Sequence, residues 1–412
     1  MQSFPKDFFW GASTASHQVE GGTDTQWDAW ERANAERLAT TAEKRLSWLP
    51  DWQGIKAQAM NPANYICGNG VEHYQRYRED FQILKQLNMN AFRFSIEWAR
   101  IEPREGEWDA AAIQHYHDYI AELHRLGIEP FLTLWHWTMP RWFTDKGGFE
   151  RRENVRYFER YAAKIAEEFG SNVRHMIILN EPNIYTLISY GIAEWPPQRK
   201  NPLLVLRVYR HLVRAHTLAA RAIKKQCPDV RVGIAMAMET SRPLSPHNPL
   251  NKIVPAAVRY LWNFWFVDRI KHHLDFVGIN FYSTSYYKWY GPQANPKTPV
   301  NDLGWYMEPR GLEELLGRVH RRYGKPLFIT ENGAADRKDQ YRSWWLQETV
   351  AAMQGAINAG VDLRGYLHWS LLDNFEWSHG WWPEFGLVHV DRKTMQRTIR
   401  PSAQRLADQL KR

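Results

Sequence analysis

Short apolar runs alternate with longer stretches of helical periodicity along the whole chain. The runs occupy residues 8–12, 91–96, 130–135, 176–179, 230–235, 276–279, 327–330 and 365–369. The runs are short, apolar and rich in β-branched and aromatic residues, with polar residues around them, the pattern of a parallel strand buried on both faces. Between them the apolar positions follow a helical period. In residues 74–87, for example, Tyr77, Phe81, Leu84 and Leu87 fall at spacings of four, three and three. Residues 113–126, 155–169, 203–226, 311–323 and 343–359 read the same way, and Gly127, Gly170, Gly324 and Gly360 stand where helices stop. Eight such units in 412 residues predict an α/β chain with one closed (β/α)8 TIM barrel spanning 1–412, rather than two or three domains. At about 50 residues per unit, long loops are expected on one rim, at 34–69, 145–154, 241–252 and 286–310. An open doubly wound sheet would need a phosphate-binding glycine loop after its first strand. Phe9-Trp10-Gly11-Ala12-Ser13 lacks that spacing.

Composition narrows the class. Hydrophobic residues make up 44% and charged residues 24%, which excludes disordered, collagen-like and coiled-coil chains. The net charge of +8 comes from 53 basic and 45 acidic residues interspersed along the chain, a mixed solvated surface rather than a nucleic-acid footprint. Cys67 and Cys227 have no metal-like spacing and read as reduced thiols. The first residues lack a signal-peptide pattern and no apolar stretch reaches 18 residues, so the expectation is a cytoplasmic protein with no membrane contact. The 21 Trp are the unusual number. An indole N–H needs a partner, which favours sites where one edge is apolar and the other wet.

Chemistry in a barrel gathers at the C-terminal ends of the strands. There the chain carries Arg93 and Glu97, His136-Trp137, Asn180-Glu181, Asn280 and Tyr282, Glu331-Asn332, and Trp369, followed by Asn374, Glu376 and Trp377. Glu181 and Glu331 stand 150 positions apart, yet strands four and seven face each other across a small barrel. Two carboxyl groups on one cleft can cleave a glycosidic bond, one protonating the leaving oxygen and the other attacking or activating water. A separation of about 5–5.5 Å makes the second a nucleophile and retains the anomeric configuration. Arg93, in the apolar run AFRFSI, demands a buried anion, and Glu331 is the natural one, with the Tyr282 hydroxyl beside it. Glu181 would then be the protonated member. No metal or cofactor is expected. His272 and His273 are neighbours on a helical pattern and point apart, and His115, His117 and Asp118 lie on a helix away from the strand ends.

Seven stretches carry a resemblance to a known family: FFWGASTASHQVEGG from Phe8, HYQRYREDFQILKQLNMNAFRFSIEWARIEP from His73, TLWHWTMPRW from Thr133, ILNEPN from Ile178, VGINFYS from Val277, FITENGAAD from Phe328 and YLHWSLLDNFEWSHGWWPEFGLVHVD from Tyr366. In sequence and order they resemble glycoside hydrolase family 1, the retaining β-glucosidases and β-galactosidases. The resemblance implies that Glu181 is the general acid/base and Glu331 the nucleophile. It implies that Gln18, His136, Asn180, Glu376 and Trp377 hold the non-reducing sugar, with Trp369 as stacking platform. It also implies that Asn280 and Tyr282 stand as supports near the two carboxyls, with Tyr282 also among the substrate-binding residues, and that Arg93 holds the nucleophile's charge. Glu376 stands where phospho-sugar members carry a small hydroxyl residue, which implies an unphosphorylated glucoside, galactoside or fucoside and a small-molecule carbohydrate as the partner.

The chain departs from the family's usual pattern at Thr138, at Glu384 and in a trimmed segment between Ala235 and Phe276. The Trp-rich aglycone side (Trp137, Trp195, Trp289, Trp305) predicts some glycosyl transfer to alcohols. A funnel of Trp10, Trp98, Trp135, Trp137, Trp369, Trp377, Trp381 and Trp382 is expected at the strand ends. A sugar-binding protein without catalysis, and a basic nucleic-acid binder, are the alternative functions. The presence of both glutamates weighs against the first, and the interspersed acids against the second.

Overall fold

A computed structural model of the protein describes residues 4–245 and 247–411, in which eight parallel strands close into a barrel. The strands are β1 Phe9–Ser13, β2 Ala91–Ser95, β3 Glu129–Trp135, β4 His175–Asn180, β5 Arg231–Ala237, β6 Phe276–Phe281, β7 Leu327–Asn332 and β8 Leu363–Trp369. They pair in chain order, and β8 closes on β1 with Gly11 opposite Leu367. Every expected run is a barrel strand, so the (β/α)8 reading holds. The structure carries β4, β6 and β7 past their apolar runs, through Asn180, Phe281 and Asn332. Ladder hydrogen bonds are made by backbone and continue under polar side chains.

Side-chain alternation builds the barrel interior in layers. Ala91, Phe131, Ile177, Ala235, Phe276, Phe328 and Leu367, one from each of β2 to β8, form a separate apolar cluster with Phe9 of β1 against it. This layer plugs the barrel. Two residues further along the same faces come Arg93, Thr133 and Thr330, and four beyond Phe276 comes Asn280. A polar layer therefore rests directly on a dry floor.

The helices at His73–Gln86, Ala110–Arg125, Val155–Phe169, Pro202–Gln226, Gly311–Tyr323 and Arg342–Asn358 lie within a few residues of their expected positions. Asp109 starts one of them, its carboxylate accepting from the Ala112 N–H at 2.9 Å. Gly127, Gly324 and Gly360 have positive φ, as helix stops of this kind require. Gly170 does not. A Cβ there would sit 2.3 Å from Cys227 Sγ, so close packing explains that glycine.

Other expectations need correction. Residues 34–69 are not an open loop but continue a helical excursion, with helices at Gln26–Thr40, Ala42–Leu46 and Trp52–Ala59. Thr25 and Asp28 form a capping box at its start, and Trp27, Leu38, Leu46, Trp52 and Ile55 are buried. The second and third of these helices are short, and burial stabilises them more than their own periodicity does. The expected loop at 286–310 begins with strands Thr284–Lys288 and Gly291–Gln293, paired beside Thr240–Pro243. The helix Pro401–Leu410 is not among the expected elements, although Ala403, Leu406, Ala407 and Leu410 stand at helical spacing behind Pro401. Among the described residues no helix is long and apolar enough to cross a membrane.

Gly333, immediately past β7, packs backbone against backbone. A Cβ there would lie 1.9 Å from the Trp369 carbonyl oxygen, with no flexible side chain to give way. Gly333→Ala is expected to cost about 3 kcal/mol, read as a lowered urea midpoint. An unchanged midpoint would contradict the close approach.

Candidate active site

Three non-glycine residues with left-handed backbone surround the barrel mouth: Trp137 (φ 75), Glu181 (φ 42) and Trp377 (φ 51). Each such residue costs on the order of 1–3 kcal/mol, held by its surroundings. Glu181 follows the end of β4 and precedes Pro182, which starts the helix Pro182–Thr186. Glu331 lies within β7, where the register against β6 shifts between Ile329 and Glu331. Both glutamates line a cavity of about 320 Å³ over the polar layer.

Arg93 is 1% exposed and organises the floor. Its Nη1 donates to Glu331 Oε1 at 2.6 Å and to the Thr330 carbonyl at 3.0 Å, its Nη2 to Asn180 Oδ1 at 2.6 Å and its Nε to Thr133 Oγ1 at 3.0 Å. The Tyr282 hydroxyl donates to Glu331 Oε2 at 2.7 Å, so both carboxylate oxygens are held. Glu181 receives one bond, from Asn280 Nδ2 at 2.7 Å. The same Asn280 amide reaches Asn180 Oδ1 at 3.1 Å, and its own oxygen accepts from Thr330 Oγ1 at 2.6 Å. The two glutamates thus hang on one path, Glu181–Asn280–Asn180–Arg93–Glu331.

That path treats them unequally. Burial, and then the charge of Glu331, push the Glu181 carboxyl well above the usual carboxylate range. Burial also raises Glu331, but Arg93 and the Tyr282 hydroxyl pull it back. The pair therefore holds its shared proton on Glu181.

The polar wall beside them is partly open. Asn180 Nδ2 donates to His136 Nε2 at 3.1 Å, so the His136 proton sits on Nδ1, a buried atom with no protein partner. Burial and then Arg93 hold His136 far below its usual range, so the ring is neutral. Gln18 Nε2 donates to the Phe375 carbonyl at 2.6 Å and to Glu376 Oε2 at 3.4 Å, while its buried Oε1 is unpartnered. Burial, opposed by Asn374 and reinforced by Glu331, brings Glu376 up to about 8. An unfilled donor and an unfilled acceptor at the edge of one cavity suit a hydroxyl-bearing ring. Trp369 and Trp377 supply flat apolar faces, each stacked near His136, at 5.6 and 6.1 Å between ring centroids. Beneath Trp377 the His17 ring stacks at 5.7 Å. Burial works against a charge on His17, but Glu31 at 2.7 Å lifts it to about 9.

Of the residues singled out in the sequence, His136, Glu181, Asn280, Tyr282, Glu331, Trp369, Glu376 and Trp377 line the cavity. Gln18, Arg93 and Asn180 lie just behind them and hold them. The aromatic funnel needs redrawing. Trp137, Trp369 and Trp377 line the cavity, joined by Trp195, Trp262 and Trp305. Trp10, Trp98 and Trp135 are core: Trp98 stacks on Tyr161 at 4.8 Å and Trp135 meets Tyr185 edge-on at 5.0 Å. Trp10 alternates with Phe9 and so turns away from the barrel interior. Trp98 lies on the short helix Trp98–Ile101 past β2, and Trp135, although two residues beyond Thr133, packs against Phe149 and Tyr185. Trp381 lies under the Arg392 guanidinium, Trp382 is 1% exposed, and Trp289 is 60% exposed outside the cavity lining. Sequence reading missed Trp262 and Glu239, which sit between β5 and β6 in a stretch without strand-end motifs.

The two departures at single residues sit outside the cavity lining. Thr138 Oγ1 donates to the buried Glu97 at 2.8 Å. Glu384 joins Arg400 and His389, and Arg400 also grips Asp373 at 2.8 and 3.0 Å, anchoring the segment that carries Glu376 and Trp377. Two clusters bring ligand-type atoms within 4.8 Å of one another: His17, Asp28 and Glu31; and Asp373, Glu384 and His389. In both, those atoms already bond to each other or to neighbouring protein donors, as ion-pair supports.

A parallel barrel with two unequally charged carboxyls and aromatic platforms at its mouth is the architecture of a barrel glycosidase. Comparison with known proteins agrees. The model for "Glycosyl hydrolase family 1" matches residues 1–272 and 267–411. Beta-glucosidase A of Thermotoga maritima is 31% identical over 449 residues, covering 98% of this chain and 96% of that protein. Beta-glucosidase A of Acetivibrio thermocellus is 30% identical, covering 97% and 96%. Among solved structures, the beta-glycosidase from Pyrococcus horikoshii superposes with a TM-score of 0.86 at 31% identity, covering 99% of this chain and 94% of that one. The Thermotoga maritima beta-glucosidase in complex with glucoimidazole gives 0.87 at 27% identity, covering 100% and 99%. The chain belongs to glycosyl hydrolase family 1 and is thus a glycosidase.

Removing the Tyr282 hydroxyl deletes a bond that favours the charged form of Glu331. In Tyr282→Phe the Glu331 carboxyl is therefore expected to titrate at higher pH than in the wild type, read by carboxyl-carbon NMR with selectively labelled glutamate. A downward shift would mean that the hydroxyl does not donate.

Proposed function

We propose that this glycosidase is an exo-acting retaining β-glucosidase, active also on β-galactosides and β-fucosides, in which residues 1–412 form one barrel domain. Its substrates are unphosphorylated β-linked glycosides and oligosaccharides. In the first step a Glu331 oxygen attacks the anomeric carbon while the Glu181 proton passes to the leaving oxygen, giving a glycosyl ester and a free alcohol. In the second, Glu181 takes a proton from water, whose oxygen attacks the same carbon and frees Glu331. An alcohol in place of water gives the transfer product.

The observation that carries this reading is the unequal setting of the two carboxyls. Glu331 has both oxygens held by Arg93 and Tyr282. Glu181 is buried beside that charge, with one amide donor. The arrangement also supports the change of role between steps. Esterification neutralises Glu331 and removes one cause of the raised Glu181 pKa, so Glu181 becomes a better base after it has served as acid.

The glycone fits the open groups. Gln18 Oε1, His136 Nδ1 and Glu376 face ring hydroxyls, Trp369 and Trp377 cover the C–H face, and Asn180 lies by the 2-hydroxyl. A phosphate dianion would stand buried near Glu331 and Glu376, which is electrostatically unfavourable. A binding protein without catalysis needs no such charge asymmetry.

Glu331→Ala is expected to lower kcat/KM on 4-nitrophenyl β-glucoside by about 10⁴-fold. Azide should restore part of it with an α-glycosyl azide as product, because azide then replaces the nucleophile. Glu181→Ala should give the β-glycosyl azide, because azide then attacks the glycosyl-enzyme. Exchanged products would reverse the roles, and unchanged turnover would refute both.

A further inference from the structure

We propose that the groove between the helices Val155–Phe169 and Pro202–Gln226 binds a linear acidic polysaccharide, which holds the enzyme by its flank and leaves the catalytic cavity free.

The second of these helices departs from an ordinary solvated face. Over 25 residues, PLLVLRVYRHLVRAHTLAARAIKKQ, it carries Arg207, Arg210, Arg214, Arg221, Lys224 and Lys225 and no Asp or Glu. The acids that intersperse the bases elsewhere in the chain are missing here. Among the described residues only Lys224 of the six is ion-paired, to Asp275 at 2.7 Å. The helix macrodipole favours Lys224 and Lys225 in the last turn, but it gives nothing to Arg207, Arg210 and Arg214. Arg210 with Arg214, and Arg221 with Lys225, stand four residues apart on one face, where like charges destabilise a helix. An anion lying along that face would reverse the effect.

The neighbouring helix adds to this charge instead of balancing it. The two helices pack side by side, and two adjoining depressions of about 320 and 400 Å³ lie between them, sharing Arg156 and Glu159. Their walls carry Arg152, Arg156, Arg160, Arg214, Arg221 and Lys225 against two carboxylates, Glu153 and Glu159. Arg152 comes from the turn that leads into the first helix. Of these six cations only Arg160 is ion-paired among the described residues, to Glu102. The other five are exposed. Bases that are scattered along the sequence are thus gathered by the fold into one groove.

The shape of the groove selects the ligand. From Arg214 to Lys225 the helix runs about 16 Å at about 1.5 Å per residue, so the row of cations matches a chain of charges rather than a single ion. Five of the six are Arg, whose planar fork takes a carboxylate through two parallel hydrogen bonds. Every Phe and Tyr ring on the two helices is buried: Tyr157, Phe158, Tyr161, Phe169 and Tyr209. The bases of a single-stranded nucleic acid would find no platform to stack on. A concave groove also suits a polymer better than the flat surface of a bilayer. A polyuronate has neither bases nor acyl chains to place and offers a carboxylate on each sugar. The groove shares no residue with the lining of the catalytic cavity, so a bound polymer leaves the barrel mouth open.

The test is calorimetric titration of the full chain with soluble polygalacturonate, with neutral dextran as control. Wild-type affinity should fall about tenfold or more between about 50 and 200 mM salt, as counterion release requires. Arg214→Glu/Arg221→Glu, outside the catalytic machinery, should bind about tenfold more weakly or worse while cleaving 4-nitrophenyl β-glucoside as wild type does. Lys44→Glu/Lys85→Glu makes the same change in net charge at exposed positions on other helices and should lose less than about threefold. Equal losses in the two variants would overturn the proposal, because net charge and not the groove would then carry the binding. So would no wild-type binding at the lower salt, or tighter binding to poly(U) or to phosphatidylglycerol vesicles than to polygalacturonate. If the charge reversals impaired folding, seen as lost aryl activity, Arg214→Gln/Arg221→Gln gives the same comparison without introducing new charge. Binding is read without turnover, so its failure leaves the glucosidase reading untouched.

Discussion

The buried guanidinium of Arg93 is the constraint on which the rest of the site depends. A cation on an interior strand cannot stay unpaired at tolerable cost. It is satisfied from three other strands: Thr133 on β3, Asn180 on β4, and Thr330 and Glu331 on β7. Those bonds fix the orientation of the Asn180 amide, and through it the tautomer of His136 and the reach of Asn280 to Glu181. One charge thereby favours the ionised form of Glu331 against its burial, adds to the burial that keeps His136 neutral, and frames Glu181. The apolar plug beneath it keeps water away from these contacts, which strengthens each of them.

Around this centre the protein places its costs where they serve the cavity. Trp137, Glu181 and Trp377 take left-handed backbone that β-strand and helix residues avoid. Trp377 is held in that conformation from several sides. His17 stacks beneath it, Trp27 and Trp137 pack at 4.7 and 4.9 Å, and Arg400 with Asp373 and Glu384 anchors the segment on either side. The aromatic residues therefore divide into two populations. One fills the space between strands and helices, and the other forms a platform whose faces are open to a ligand.

Much of the fold and the chemistry was legible in the sequence. The eight apolar runs marked the strands because parallel strands covered by helices bury both faces, and polar interruptions then stand out as strand ends. Glu181, Glu331 and Arg93 could be picked out because charged residues inside or directly after such runs have few structural reasons to be there. The Trp residues were less legible. Trp98 and Trp135 sit at strand ends like Trp137, and the difference between core and platform lies in which way one residue turns. The helix Gln26–Thr40 owes its existence to burial against the barrel rather than to strong local patterning, whereas the closing helix Pro401–Leu410 carries apolar residues at helical spacing behind its proline.

The sequence by itself determined the architecture, the family and the identity of the two carboxyls. These follow from periodicity and from residue types at strand ends, which are local properties of the chain. Tertiary structure alone decided how the hydrogen bonds divide between the two carboxyls, which indoles face the cavity, and where the cavity opens. Those depend on burial, on hydrogen-bond geometry and on charges brought together from residues hundreds of positions apart, as in the bond from Arg93 to Glu331. No local pattern encodes such distances, because they exist only once the barrel has closed.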